Sequence, residues 1–586
     1  MDSYDIPMNN AEIASVLEEV ADVLEIKDEN TFRIRAYCNA ARSIQVLTTP
    51  LSRMIEEGQP LTGLPGIGKE MANHIREMVE TGTLGYRDQL LAEIPRSLID
   101  LVRLPGVGPK KARKLWDELQ ICSVEELEEA AKAGRIAGVA GFGAKTQEKI
   151  LAGIEDHRQH TSRMLLVDAE RFVEPLAGYL RAIPEVERLE IAGSYRRRCE
   201  TIGDIDLLAI ATVPGPVMEA FVHYPQVREV LMSGDTRASI TLGTGLQVDL
   251  RVVPPDCYGA ALVYFTGSKE HNVKLRRRAV EQGLRISEYG VFREPGGDLV
   301  TAGREEADVY AAVGLPWIPP ELREDRGEIE AAAAKALPRL IEREDIRGDL
   351  HMHSVWSDGR NTIEEMVEAC AARGYEYMVI SDHSKALAMT NGLDAYRLRE
   401  QWKEIAEVQS RHPEIHILRS MEVDILADGS LDLEDEMLAG LDLVLVSLHS
   451  GLSMPGEQQT ERVLRALGHP EVNVFCHPTA RIINRRKPVE MDVDLVLRRA
   501  AELGVVVELN SSPHRLDLKD DHLRLAKRLG CRIVISTDSH KPAELDLLRC
   551  GIEQARRAGL EPTDVVNTLP YEEMRKTFER REPLRK

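Results

Sequence analysis

Cysteine is scarce: eight residues in 586, with no Cys-x-x-Cys pair. That excludes a disulfide-stapled framework and a thiolate zinc ribbon, and it predicts a reducing compartment. No apolar run approaches the ~18 residues that a membrane span needs. The first ten residues, MDSYDIPMNN, are acidic and polar and carry no secretory signal. Positive charge is in deficit. Lys and Arg number 75 against 97 Asp and Glu, a formal charge of −22, and on average that argues against a nucleic-acid partner. What remains is globular, with 43% hydrophobic and 29% charged residues. The length predicts about four domains. A cytoplasmic, soluble chain with no membrane partner is expected.

Local sequence overturns the average charge. Residues 10–160 read as successive amphipathic helices, with Ile13, Val16, Leu17, Val20, Val23 and Leu24 at helical spacing. Two turns between them are near copies: Leu64-Pro65-Gly66-Ile67-Gly68-Lys69 and Leu104-Pro105-Gly106-Val107-Gly108-Pro109-Lys110. Val139-Ala140-Gly141-Phe142-Gly143-Ala144-Lys145 is a weaker third. Each is the hairpin of a helix–hairpin–helix unit. Paired glycines let the chain turn and leave its N–H groups uncovered, and the next helix presents its positive end. Together they suit a phosphate oxygen, so Gly66, Gly68, Lys69, Gly106, Gly108, Lys110 and Lys111 are expected to hold DNA backbone without reading bases. A single copy is equally a plain glycine turn; three copies beside lysines point to DNA.

Near residue 186 the pattern becomes β-like, with runs at 186–191 and 205–211. Between them stand Gly193-Ser194-Tyr195-Arg196-Arg197-Arg198 and Gly203-Asp204-Ile205-Asp206. Asp204 and Asp206 are two apart on a strand, so both carboxylates share a face. Two such carboxylates repel unless a cation lies between them, and all-oxygen ligands suit Mg²⁺ or Mn²⁺. Asp249 offers a third carboxylate on a later strand. The Gly-Ser turn offers N–H groups, a hydroxyl and guanidinium groups to a triphosphate. This is the minimum set for nucleotidyl transfer by two metals. Further on, Tyr264-Phe265-Thr266-Gly267-Ser268 sets an aromatic pair beside glycine, as suits a nucleotide sugar. Asn272 and Arg276 lie one helical turn apart.

In this order these motifs resemble the family X DNA polymerases, over residues 1 to about 318. The resemblance implies a nucleotidyltransferase palm with Asp204, Asp206 and Asp249 as metal ligands. It places Gly193, Ser194, Arg197 and Gly203 at the incoming triphosphate. Tyr264, Phe265 and Gly267 go to the sugar, Asn272 to the minor-groove edge of the nascent base pair, and Arg276 towards the template. Some members use a lysine after the first hairpin as a Schiff-base nucleophile. His74 stands there, and imidazole cannot form that imine, so no strong deoxyribose-phosphate lyase is expected by that route.

Residues 321–345 are charged and alanine-rich and read as a helical linker. Beyond them seven β-branched strands, ending near 350, 381, 421, 448, 476, 509 and 536, alternate with helices, which predicts a parallel barrel. Six of the seven strand ends carry histidine or carboxylate: His351, His353 and Asp358; His383; Glu422; His449; His477; and Asp538 with His540. Strand ends of a β/α barrel converge on one mouth, so these residues meet. They are too many for one tetrahedral ion, and the imidazole-rich mixture favours Mn²⁺, Zn²⁺ or Fe²⁺. Metal-generated hydroxide acting on a phosphodiester is the chemistry to expect. His412, His416, His469, His514 and His522 are left out, and Asp349, Asp382 and Asn510 are placed behind the ligands.

This segment resembles the PHP (polymerase and histidinol phosphatase) domain, across roughly 346–570. The resemblance implies a distorted (β/α)7 barrel in which those nine residues hold two or three divalent ions. A family X core followed by PHP is the arrangement of bacterial family X polymerases. It implies gap filling in base excision repair with a metal-dependent 3′→5′ exonuclease, and it leaves open an abasic-site endonuclease. Expected domains are helix–hairpin–helix regions over 1–85 and 86–160, the palm over 161–255, a thumb-like subdomain over 256–320, the linker over 321–345 and PHP over 346–586. The fold class is multidomain α+β and α/β, the partners gapped or primed DNA and deoxynucleoside triphosphates, and a monomer is favoured. Two alternatives stay open at this point. One is a gap-binding scaffold with structural PHP metals; the other is a small-molecule phosphoesterase.

Overall fold

Ile13, Leu17, Val20 and Leu24 are all buried along the helix Asn10–Ile26, as their spacing predicts. The structure is a computed structural model. It describes residues 10–578 apart from 28, 46–50, 57, 96, 103, 105–106, 137–138, 140–141, 144–145, 148, 152–153, 155–162, 295–296, 302 and 388–389. Among the described residues no helix is long and apolar enough to cross a membrane. The chain divides into two compact units, Met1–Ser162 with Leu387–Gly392, and Arg163–Ala386 with Leu393–Lys586.

The first unit is helical, and its three hairpins repeat one hydrogen-bond scheme. In the first, Ile67 N donates to Leu64 O (3.2 Å) and Ala72 N to Gly68 O (2.9 Å). In the second, Val107 N donates to Leu104 O (3.0 Å) and Ala112 N to Gly108 O (2.9 Å). In the third, Phe142 N donates to Val139 O (2.9 Å) and Gln147 N to Gly143 O (3.0 Å). Ile67, Val107 and Phe142 plug the core at the same step of each copy. Gly68 and Gly108 are the N-caps of the helices Lys69–Thr81 and Pro109–Leu119. Gly66 has φ +77°, the left-handed turn that glycine allows at little cost. Gly106 lies outside the described residues.

The second unit holds three layers of structure. Strands β1 (Met164–Leu165) and β3 (Thr201–Ile202) pair beside a five-stranded palm sheet. That sheet runs in the order β2 (Val186–Ile191), β4 (Asp204–Ala211), β7 (Gln247–Val252), β6 (Arg237–Leu242), β5 (Val227–Ser233). The strands β4 and β7 are parallel, and the other neighbours antiparallel. The thumb follows, with helices Tyr258–Thr266 and Lys269–Val280 and the antiparallel strands β8 (Leu284–Ser287), β9 (Gly290–Arg293) and β10 (Leu299–Thr301). Residues 321–345 do not form one long helix. They carry the single α-helix Glu328–Ala333, whose Ile329 and Ala332 are buried, and Ile341 N bonds Leu560 O (3.1 Å). Apolar side chains in that stretch find a core to enter, which an extended helix would have held in water.

The barrel strands are β11 (Gly348–Asp349), β12 (Tyr377–Ile380), β13 (His416–Asp424), β14 (Leu443–Ser447), β15 (Val474–Phe475), β16 (Val506–Asn510) and β17 (Ile533–Ser536). They are parallel and lie in sequence order. The ring is drawn together at one end, where Asp538 N donates to His351 O (3.0 Å) and His353 N to Ser539 O (2.8 Å). One apolar cluster, with Leu350, Tyr377, Val379, Leu418, Leu443, Leu445, Val474, Val506 and Val534, takes alternate strand residues. The other alternates join the larger core shared with the helices.

Candidate active sites

The register of the palm sheet brings the aspartates together. On the parallel pair β4 and β7, Asp206 lies opposite Asp249 and Asp204 opposite Gln247. Asp204 is exposed while Asp206, with the Gly193 turn against it, is half-buried. Ser239 Oγ donates a short hydrogen bond to Asp249 Oδ1, and Gln247 Nε2 lies 3.3 Å from Asp249 Oδ2, which fixes that carboxylate's rotamer. Burial, and then the charges of Asp204 and Asp249, push the Asp206 carboxyl up to about 6. Three oxygen-only side chains whose charges oppose one another fit a hard divalent cation.

The Gly193–Arg196 turn is sewn to this edge, with Ala192 N donating to Asp206 O (2.7 Å). Gly193 has φ +62°, and a Cβ there would lie 2.9 Å from Asp206 Oδ2. The glycine therefore lets the turn approach the Asp206 carboxylate. Ser194 is half-buried on that turn. Arg197 is half-buried as well. Its Nη1 donates to Thr266 O (2.6 Å) and its Nε to Glu324 Oε1 (3.0 Å). Gly203 packs under Arg163, whose Nη2 donates to Thr201 O (2.6 Å).

Arg196, the neighbour of Arg197, faces the thumb. It grips Glu306 in a two-pronged pair (2.8 and 2.9 Å) that the fully buried Arg323 repeats from the other side (2.7 and 3.1 Å). Burial alone would raise Glu306, but Arg323 and then Arg196 hold it at about 2. Tyr264 is exposed and meets Phe265 edge-on at 5.1 Å, and Arg251 lies 4.5 Å over the Phe265 ring. Asn272 Nδ2 donates to Tyr264 O (2.8 Å), and Arg276 Nε, one turn on, to Asn272 O (3.2 Å).

The barrel mouth gathers all nine expected ligands, and Glu422 is its hub. His477 Nε2 and His449 Nε2 approach its Oε1 at 2.8 and 3.4 Å. His383 Nδ1, His351 Nε2 and His353 Nε2 approach its Oε2 at 3.0, 3.3 and 3.6 Å. Asp538 Oδ1 lies 3.0 Å from His353 Nε2. Asp358 Oδ2 lies 3.5 Å from His383 and 3.4 Å from His540. Burial raises the Asp358 carboxyl, but His383, then His540 and His353, hold it far below the usual carboxylate range. His351 Nε2, His353 Nδ1, His383 Nδ1 and Glu422 Oε2 are buried without a hydrogen-bond partner. Polar atoms left so cost about 1–3 kcal/mol each. Cations at the mouth would satisfy them, and this donor set fits the metals.

Further polar residues lie behind these nine side chains. Asn510 Nδ2 donates to Asp538 Oδ2 (3.1 Å). Thr537 Oγ1 donates to Asp349 Oδ2 (2.5 Å), and Ser354 Oγ to Asp382 Oδ2 (2.6 Å). Glu508 was absent from the sequence-based set. Its Oε1 lies 2.7 Å from His351 Nδ1, and its Oε2 accepts from His477 N (2.7 Å). That bond orients His351 with Nε2 towards the mouth, the usual carboxylate–histidine arrangement at a metal. Cys476 joins His351 and Glu508 in one cluster, and Asp424 lies 3.4 Å from His449 Nδ1. A signal for Glu508 existed: it is a charged residue in the otherwise apolar strand Val506–Asn510, in phase with the inward Val506.

In the first unit, Lys69 and Lys110 are exposed at the hairpins, and the Lys111 ammonium lies 5.5 Å over the Phe142 ring. His74 Nδ1 lies 3.0 Å from Tyr37 Oη, and the ring stacks on Tyr86 at 5.4 Å. Burial lowers its pKa. It is a packed aromatic-like residue, with no amine to form an imine.

Known proteins match along the whole chain. The helix-hairpin-helix domain family matches residues 8–84, and the SAM-like helix-hairpin-helix tandem 98–156. The DNA polymerase beta thumb matches 261–324, and the PHP domain 349–475. The DNA polymerase/3′-5′ exonuclease PolX of Bacillus subtilis is 38% identical over 562 residues, 96% of this chain and 97% of its own length. The chain belongs to the bacterial PolX family. Other relatives cover parts of it. DNA polymerase lambda of Rattus norvegicus is 24% identical over 343 residues, 54% of this chain and 56% of that protein. A probable phosphatase of Syntrophotalea carbinolica is 28% identical over 229 residues, 37% of this chain and 90% of that protein.

Proposed function

We propose that this PolX fills short gaps in DNA during repair and trims 3′ ends with its barrel. It is a DNA polymerase with a 3′-5′ exonuclease. What supports the two-site reading is a pair of separate side-chain clusters, one of aspartates on β4 and β7 and one of imidazoles around Glu422.

In the palm, Asp204, Asp206 and Asp249 would hold Mg²⁺ or Mn²⁺. Bound there, such ions would offset charge on the triphosphate and lower the pKa of the primer hydroxyl. The chain's own part is positional. Ser194, Arg197 and Gly203 sit where a triphosphate would lie along the Gly193 turn. Tyr264, Phe265 and Gly267 offer a surface to the sugar, and Asn272 and Arg276 line the next turn of helix. In the barrel the nine ligands would hold two or three ions, with Mn²⁺, Zn²⁺ or Fe²⁺ suited to the imidazoles. Such ions supply hydroxide for phosphodiester hydrolysis. The hairpin residues Gly66, Gly68, Lys69, Gly106, Gly108, Lys110 and Lys111 would grip the DNA backbone on either side of a gap.

The test is a pair of substitutions assayed on one gapped duplex in Mn²⁺. Asp206→Ala is expected to cut extension by about 10³-fold or more, since metal stabilisation is worth several kcal/mol. It should leave 3′-end removal intact. His351→Ala should do the reverse. Loss of both activities in either variant would refute two independent sites.

A further inference from the structure

Arg197 is held by Glu324, the last residue of the matched thumb, and by Arg557, which follows the last barrel strand. Its Nε donates to Glu324 Oε1 at 3.0 Å. The same Glu324 oxygen accepts from Arg557 Nη1 at 2.9 Å. That Arg557 nitrogen also donates to the main-chain O of Arg197 at 2.6 Å. Arg557 ends the helix Leu548–Arg557, which follows the last barrel strand. Its other nitrogen, Nη2, donates to Asp520 Oδ2 of the barrel at 3.0 Å, and Asp520 accepts from Arg326 Nη1 at 2.9 Å. The side chains of Arg197, Glu324 and Arg557 are 14%, 15% and 7% exposed, so solvent screens little of this chain of charges. Burial raises the Glu324 carboxyl, but Arg557 and then Arg197 hold it below its ordinary value.

An arginine that binds a phosphate must be held in its fork geometry before the ligand arrives, or the ligand bears the ordering cost. Here the guanidinium is fixed through Glu324, and the backbone that carries it is fixed through its own carbonyl. Both constraints end on one barrel side chain. Other bonds cross the same seam without touching Arg197. Arg549 pairs with Glu170 (2.7 Å) and Arg481 with Glu200 (2.7 Å).

We propose that Arg557 of the barrel is a positioning residue for nucleotide incorporation, acting through Glu324 and through the Arg197 carbonyl. The barrel then belongs to the nucleotide site as well as to the nuclease. This rests on Arg197 meeting the triphosphate.

The test uses the full-length protein. Single-nucleotide insertion into a gapped duplex gives KM and kcat for the nucleotide, and 3′-end removal by the same preparations reports on folding of the barrel. Arg197→Ala, Arg557→Ala and Glu324→Gln are each expected to raise the nucleotide KM about tenfold, the size of one lost charge-assisted hydrogen bond. The fall in kcat should be smaller, and 3′-end removal should stay at the wild-type rate. Arg557→Lys, which keeps the charge, should recover part of the KM. Arg549→Ala, which cuts another bond from the same helix, should keep the wild-type KM. A raised KM in Arg197→Ala with a wild-type KM in Arg557→Ala and Glu324→Gln overturns the relay alone. A wild-type KM in Arg197→Ala overturns the reading of Arg197 and the relay with it. Should Arg557→Ala lower both activities, Glu324→Gln decides, and a wild-type KM there overturns the relay.

Discussion

The palm and the barrel both gather carboxylates, but they do so to different degrees. In the barrel, groups such as His353, Asp358, His383 and His540 bring their ligand atoms within 4.8 Å of one another. Among the described residues, every such group lies at the barrel mouth. The palm aspartates form a looser edge, with Asp204 exposed and Asp249 tied back by Ser239. On the function proposed above, the barrel site would be complete before substrate arrives, and the palm site would be finished by triphosphate and primer oxygens. A nuclease that meets any 3′ end gains from a ready-made centre, whereas a polymerase gains if ions settle only when the nucleotide does.

The strongest way to break the comparison is at the hub. Glu422 lies within 3.6 Å of five histidines. Glu422→Ala is expected to abolish 3′-end removal, by about 10³-fold or more, and to strip metal from the purified protein. Extension should stay near wild type, read by elemental analysis and primer extension together. Glu508→Gln should be milder. Partners behind a metal ligand typically matter about 10–100-fold in metal affinity or activity. A Mn²⁺ titration of the exonuclease reads that shift, and an unchanged titration would remove Glu508 from the site.

The palm offers a pH test of its openness. Asp206 titrates near 6 because burial and two neighbouring carboxylates raise it. Below that pH a proton competes with the cation. The Mg²⁺ needed for half-maximal extension should rise as pH falls through about 6, by up to about tenfold per unit. A flat Mg²⁺ requirement between pH 7.5 and 5.5 would contradict it. The smallest effect belongs to the hairpins. Lys69→Ala should weaken gapped-DNA binding equally on every sequence, and lower the slope of log affinity against log salt by about 1. A sequence-dependent loss would mean that the hairpin reads bases.

Much of this comparison was legible in the sequence. His383, Glu422, His449 and Asp538 continue the inward alternation of Val379, Leu418, Leu445 and Val534, so period two and the strand ends locate them. Asp204 and Asp206 were equally visible as a spaced pair. His477 and Asp538 adopt φ of +27° and +56°, an unusual backbone that no residue pattern announces. Glu508 was missed because its strand carried no histidine, although its charge inside an apolar run was the clue. The seam bonds were invisible for a different reason. Arg481 and Glu200 are 281 residues apart, Arg549 and Glu170 379, and exposed-looking arginines and glutamates are too common to pair by sequence. The expected linker failed similarly: alanine and charge suggest helix, but only tertiary packing decides whether Ile329 and Ile341 are buried.

The most direct measurement is anomalous diffraction from two Mn²⁺-soaked crystals, one of the protein alone and one of its complex with primed DNA and a non-hydrolysable nucleotide. The account predicts strong peaks around Glu422 in both crystals, and peaks between Asp204, Asp206 and Asp249 only when nucleotide is present. A bare barrel mouth, or palm peaks of equal strength without nucleotide, would contradict it.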